Sequence, residues 1–333
     1  MTRARRELVD IETTAYYHCI CRCVRRAYLC GEDNFSGKSY EHRKTWVLAR
    51  LRQLQSIFAV ELCAYAIMSN HYHLVVRLND RQAENWTEDE VIERWEGLFS
   101  LPTLVADYRA DRLSTQAEQR QAQAVIATWR ARLRDLSWFM RSLNEDLARR
   151  ANAEDGCKGR FWEGRFKSQA LLDEAAVLTC MSYVDLNPVR AGMAETPEAS
   201  DFTSIQQRIA EYAKGSGETA LEKPRLTPLA SPNRETHQQA FSFSTEDYLA
   251  LADWSGRAIR EDKRGAISAA LPPILARLQI DPDHYISHVS KGGQSYHVAA
   301  LGRVDRLIEA AERLGRRFLK GQSLSRRLYL REA

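Results

Sequence analysis

His71 and His73 stand two residues apart in the run Ser69-Asn70-His71-Tyr72-His73-Leu74-Val75-Val76-Arg77. Apolar and polar residues alternate there, the pattern of a half-buried strand. Successive side chains of a strand face opposite ways, so His71, His73, Val75 and Arg77 share one face. Tyr72, Leu74, Val76 and Leu78 form the other, a core face. One nitrogen from each imidazole can reach a single metal ion. Such a pair serves equally well as hydrogen-bonded or packing histidines, and a metal site needs a third ligand from elsewhere in the chain.

A second pair lies on a helix that the sequence ends at Pro188: Tyr183 and Asn187. Residues four apart share a helix face. If that helix packs beside the histidine strand, Asn187 completes a ligand set, Tyr183 stands over the ion, and Arg190 adds positive charge near a phosphate. The same spacing also fits a packing tyrosine and an asparagine that merely precedes a proline. The residues alone leave both readings open.

These groups need a scaffold. Thr13 to Val24 reads as a strand with Tyr16, His18, Ile20 and Arg22 on one face. Val47, Leu51, Leu54 and Phe58 recur at helical spacing within residues 40–58. A strand over residues 59–68, the turn Ser69-Asn70 and the histidine strand make an antiparallel hairpin. Residues 79–135 turn polar and read as a helical insertion, with 116–134 an exposed helix. Leu136 to Arg150 is amphipathic, Arg160 to Leu171 reads as a strand, and Asp173 is placed to cap the helix that carries Tyr183. The order implies an α+β fold, a ferredoxin-like or RRM-like antiparallel sheet with helices packed on it, over residues 1–203. Residues 204–244, rich in Gly, Pro, Ser and Thr, read as a linker. Residues 245–333 read as a small all-α accessory domain able to bind DNA, with Arg316 and Arg317 opening a basic stretch.

The chain has 333 residues, 44% of them hydrophobic, and a net charge of +4. No run of about 18 apolar residues offers a membrane span, and the N-terminal residues show no secretory signal. A cytoplasmic location is the expectation. Seven cysteines make no disulfide framework; Cys19, Cys21 and Cys23 alternate as small apolar residues of one sheet face, a zinc site being the weaker alternative. Basic residues gather at Arg22-Arg25-Arg26, at Arg141-Arg149-Arg150, at Arg160-Arg165-Lys167 and near the C-terminus, a distribution suited to gripping a phosphate backbone.

Three motifs in order, Asn70-His71-Tyr72-His73-Leu74, Gly164-Arg165-Phe166-Lys167-Ser168 and Tyr183-Val184-Asp185-Leu186-Asn187-Pro188-Val189-Arg190-Ala191-Gly192, resemble the single-tyrosine HUH transposases of insertion-sequence type. The resemblance is strongest to their REP-associated branch and spans about Thr13 to Met193 without the insertion. It implies that His71, His73 and Asn187 hold a divalent metal, Mg²⁺ or Mn²⁺, and that Tyr183 attacks DNA to form a covalent 5′-phosphotyrosine. The implied activity is that of a metal-dependent endonuclease and strand transferase for single-stranded or hairpin DNA, acting as monomer or homodimer. Candidate DNA contacts are Arg22, Arg77, Arg165, Lys167, Arg190, Arg316 and Arg317. The chain departs from the family after its first strand, where Cys23-Val24-Arg25-Arg26 replaces a glycine-asparagine turn. Two other readings stand beside this one: a catalytically silent hairpin-binding regulator, and a nuclease in which a metal-bound water attacks.

Overall fold

The alternation that marks the histidine strand also sets its neighbours. In the computed structural model, which describes residues 8–24, 28–33, 37–214, 223–230, 241–259, 272–291 and 298–330, β1 (Tyr16–Arg22) runs into α1 (Arg43–Ile57), followed by β2 (Val60–Ile67) and β3 (His71–Leu78). Helices α2 (Asp80–Glu84), α3 (Glu88–Glu96), α4 (Thr103–Arg109) and α5 (Gln116–Leu133) form the insertion. Then come α6 (Leu136–Glu154), β4 (Lys167–Leu171), α7 (Glu174–Asp185), α8 (Asn187–Arg190) and α9 (Ser204–Lys214). The C-terminal part holds α10 (Thr245–Ile259), α11 (Pro273–Arg277), α12 (Pro282–Lys291), β5 (Ala300–Leu301), α13 (Val304–Arg313) and α14 (Gln322–Leu328).

The sheet order is β2-β3-β1-β4-β5. Its first four strands are antiparallel neighbours, the ferredoxin-like arrangement of an α+β fold. Opposite faces of each strand enter different cores. Tyr17, Cys19, Cys21, Tyr72, Leu74 and Val76 pack beneath α1 and α6. Ala64, Ala66, Val75 and Leu171 pack with α7 and the C-terminal helices. The cysteine triplet is thus core, and burial raises the thiol of Cys21 to about 12.

Several expectations need correction. The strand foreseen over residues 160–171 is formed only by Lys167–Leu171. Trp162 turns into the core instead, where its indole N–H donates to the Asn144 carbonyl at 2.8 Å and its ring meets Tyr72 edge-on. Helix α5 is not simply exposed: Ala122, Ile126, Trp129 and Leu133 are buried along one stripe, each large one adding about 1.5–3 kcal/mol over exposure. The foreseen linker opens with α9, whose Ser204 hydroxyl accepts from the Tyr65 amide at 2.9 Å; residues 215–222 and 231–240 of it lie outside the described residues. The segment from Thr245 is not an all-helical accessory domain. It supplies β5, parallel to β4, and its helices share the α7 core. Gly302 allows that strand to leave closely past β4, since a Cβ there would lie 2.8 Å from that of Leu172.

Pro188 does not simply stop the Tyr183 helix. Helix α7 ends at Asp185, and Pro188 occupies the first turn of α8, where its missing N–H costs nothing. Asp185, wholly buried, accepts hydrogen bonds from the Ser204 hydroxyl, from the Ile205 amide at 2.9 Å and from the Tyr248 hydroxyl at 2.5 Å. Burial pushes its carboxyl up to about 6 against the pull of these donors.

An acid whose pKa is raised by folding contributes stability that is full below its ordinary value near 4 and lost as pH rises through about 6. Asp185→Asn removes this dependence while keeping a carbonyl acceptor. Relative to this variant, the natural chain should therefore gain on the order of 2 kcal/mol between pH 7 and pH 4. Urea unfolding of both proteins across that range measures it, and a constant difference would refute the assignment.

Candidate active site

Register decides which side chains meet. Ile20 lies opposite His73 and Arg22 opposite His71 across β1–β3, while Gln169 lies opposite His18 and Lys167 opposite Ile20 across β1–β4. All of these side chains therefore project from the face that α7 covers. Small residues on that face of β2, Ala64 and Ala66, let the helix sit close. Asp173 caps α7 by accepting from the Ala176 amide at 2.8 Å.

Tyr183 and Asn187 arrive over the histidines from α7 and α8. The Tyr183 ring stands edge-on to His73, with centroids 5.7 Å apart, and His71 meets His73 edge-on at 4.9 Å. His73 is almost wholly buried, and both of its ring nitrogens are engaged. Its Nδ1 lies 2.9 Å from Nε2 of His18, and its Nε2 lies 3.0 Å from the amide nitrogen of Asn187. An amide nitrogen only donates, so His73 Nε2 carries a lone pair and Nδ1–H donates to His18. His71 shows the same division of labour: its Nδ1 lies 2.6 Å from the Asn70 side-chain oxygen, which can only accept. Both rings thus keep Nε2 as the atom with a lone pair.

Arg190 closes the arrangement. Its guanidinium donates to the Asn187 oxygen at 2.6 Å and to the Tyr183 hydroxyl at 3.4 Å. Burial holds the Tyr183 phenol above its ordinary range, while Arg190 and the hydrogen bond with Asn187 pull it down. The histidines move the other way. Burial lowers His18 to about 3, and burial with the charges of Arg22 and Arg190 lowers His71 to about 4. Burial and its ring neighbours likewise push His73 well below its usual value.

The donor set suits a divalent ion in one respect and competes with it in another. Two imidazole lone pairs fixed by Nδ1 hydrogen bonds are the usual arrangement of histidine ligands. The Asn187 oxygen, however, faces Arg190. Among the described residues no group of three or more His, Cys, Asp or Glu is disposed to hold a metal. An ion here would rest on His71, His73 and the Asn187 amide, and the zinc alternative at Cys19, Cys21 and Cys23 has no such group.

Of the foreseen DNA contacts, Arg22, Arg165 and Lys167 are exposed at the site's end of the sheet, where the Glu163 amide donates to the Arg22 carbonyl. Arg77 is elsewhere: it lies opposite Tyr16 and pairs with Glu61 at 3.1 Å. Arg316 and Arg317 are also remote. Helix α13 ends with Arg313 donating to the Glu12 carbonyl, beyond the end of β1 opposite to Arg22. Along that stretch Phe318 and Leu330 are exposed, whereas Leu319 and Leu328 are buried. Arg25 and Arg26 lie outside the described residues. Sequence reasoning placed His18 on the right face but gave it no role. Its signal was a third histidine on the partner strand.

A base whose pKa is lowered by folding costs stability as pH falls below its ordinary value near 6.5. For His71 that loss extends to about pH 4, and for His18 to about pH 3. Neither ring should take up a proton between pH 8 and pH 5. Ring-carbon chemical shifts followed by NMR test this, and a midpoint near 6.5 for either ring would contradict the buried geometry.

No family model and no curated protein matches the chain. It is similar to a solved structure described as "Structure of the REP associates tyrosine transposase bound to a REP hairpin", with 12% identity, 73% of this chain and 100% of that chain covered, and a TM-score of 0.36.

Proposed function

We propose that this chain nicks and rejoins single-stranded DNA through Tyr183, as a metal-dependent transposase-like endonuclease acting at hairpins. The observation that carries the reading is the Tyr183 hydroxyl beside the Arg190 guanidinium, over two histidines whose Nε2 atoms bear lone pairs. The hairpin target is what the motif resemblance implies.

In this reading the Tyr183 oxygen attacks the scissile phosphorus. One P–O bond forms to the tyrosine and the bond to the 3′ oxygen breaks. That oxygen leaves as a 3′-hydroxyl once protonated, and the 5′ side remains on the enzyme as a phosphotyrosine. One phosphodiester replaces another, so a different 3′-hydroxyl can reverse the step and join strands without ATP. Arg190 favours the phenolate against the burial that opposes it. Arg190 and Arg22 also give phosphate oxygens charged donors. His18 holds the His73 tautomer that keeps Nε2 free of a proton. His71, His73 and Asn187 would hold Mg²⁺ or Mn²⁺, which when bound polarises the phosphate and offsets transition-state charge.

Tyr183→Phe should bind single-stranded substrate as the natural chain does and give no covalent adduct on a denaturing gel. His71→Ala, His73→Ala and excess chelator should each abolish cleavage, and Asn187→Ala should weaken Mn²⁺ binding about tenfold or more. Adduct formation by the Phe variant, or full cleavage in chelator, would sink the reading. An intact chain that binds hairpins and never cleaves would identify a silent regulator instead.

Arg22, Arg165 and Lys167 make a second test possible. Replacing all three with Ala should weaken single-strand binding and reduce its salt slope by roughly 0.7 for each phosphate no longer neutralised. Replacing Arg316 and Arg317 should leave that slope as it is. The opposite pattern would move the DNA path to the other end of the sheet.

A further inference from the structure

The surroundings of His73 are closed by the protein's own donors. Asn187 has a single side-chain carbonyl oxygen, and the Arg190 guanidinium takes it at 2.6 Å. The other edge of the same amide, its NH₂ group, covers His73 Nε2 at 3.0 Å. A divalent ion held by His73 and Asn187 requires both of those lone pairs. It can have them only if the amide turns over and the guanidinium withdraws.

Neither movement is independent of the other. Were the amide to turn with Arg190 in place, its NH₂ would face a guanidinium N–H, two donors with no acceptor between them. Asn187 is buried, so such a mismatch has no water to relieve it. An ion arriving with Arg190 in place would also share one oxygen with a like charge. The guanidinium therefore competes directly with the ion.

Arg190 is poorly satisfied where it stands. Its acceptors are neutral, an amide oxygen and a phenol hydroxyl. Its buried Nε has no hydrogen-bond partner among the described residues. Hydrogen bonds from a guanidinium to an anionic oxygen are about twice as strong as neutral ones. A phosphate within reach of the Tyr183 hydroxyl is within reach of Arg190 as well, and it offers such oxygens in bidentate geometry.

We infer that Arg190 is a latch coupling the divalent ion to the scissile phosphate: before a strand binds, its guanidinium holds the Asn187 oxygen that the ion requires, and the bound phosphate draws it away. Each ligand then tightens the other by the same factor, because coupling between two binding sites is reciprocal. Metal taken up without DNA would be disfavoured, so the tyrosine would be armed only on substrate. This rests on the metal-dependent reading above.

The experiment titrates Mn²⁺ into the full chain by calorimetry, with and without saturating ten-nucleotide oligothymidine, and subtracts a titration of the oligonucleotide alone. For the natural chain the oligonucleotide should raise Mn²⁺ affinity roughly tenfold, and Mn²⁺ should raise oligonucleotide affinity equally. In Arg190→Ala, Mn²⁺ should bind roughly tenfold more tightly without DNA, and the coupling should fall to what direct attraction between ion and phosphate supplies. Arg190→Met keeps the side chain's length without a donor, and serves the same purpose if Ala perturbs the fold. His71→Ala should remove the Mn²⁺ signal throughout. Unchanged Mn²⁺ affinity and intact coupling in the Arg190 variants, with binding still dependent on His71, would overturn the latch alone. Absence of His71-dependent Mn²⁺ binding in both natural and variant chains would overturn the latch together with the metal-dependent reading.

Discussion

A single buried carboxylate, Asp185, ties α7 to the helices that follow it. Asp185 receives hydrogen bonds from Ser204 and Ile205 at the start of α9 and from Tyr248 on α10. It lies two residues from both Tyr183 and Asn187, so whatever fixes Asp185 fixes them. Desolvating a carboxylate is expensive unless its oxygens are well supplied with donors. Here the supply comes from two later helices, which makes the position of Tyr183 depend on chain far beyond the ferredoxin-like core. The C-terminal helices thus help set where Tyr183 stands.

From that anchor a hydrogen-bonded line crosses the site. His18 on β1 bonds His73 on β3, and His73 meets Asn187, which meets Arg190, which reaches Tyr183. Each link fixes the proton position of the next. Such a line is stiff because a buried polar group without its partner is costly, and neighbouring bonds polarise one another. It also explains why three imidazoles can crowd together at neutral pH: none of them is charged. Positive charge is left to the arginines around them, where a phosphate backbone can meet it.

What could be read from the sequence followed from local periodicity. The histidine strand, its hairpin partner, the helix behind them and the Asp173 cap needed only alternation, helical spacing and a short polar side chain before a helix. The pairing of Tyr183 with Asn187 was legible too, although a break at Leu186 interrupts the helix assumed to carry them. Arg77 misled because sharing a strand face says nothing about distance along it; four residues from His73 it is closer to Glu61 than to the site. His18 was seen and not understood, since its role comes from the β1–β3 register, a long-range fact. The C-terminal segment was misread for the same reason. A two-residue strand such as Ala300–Leu301 has no period to detect, and the helices beside it look self-contained until their partner surface is known.

That short strand bears on how the protein is made. During synthesis β4 emerges with one edge paired to β1 and the other open, and the strand that covers it lies about 130 residues further along, as the Gln169 side chain donating to the Val298 carbonyl 129 residues away illustrates. At 5–20 residues per second the ribosome leaves that edge bare for roughly 6–26 s. An open edge is a template for pairing with other chains. Here it is five residues long and begins with an exposed lysine, which limits the hazard while the wait lasts. The helices that fix Asp185 include α10, which emerges only after most of the sheet is in place. A nascent chain would therefore pair its four antiparallel strands before α10 emerges to fix Asp185, and in that interval Tyr183 would lack the Tyr248 anchor while the histidine strand is already in place.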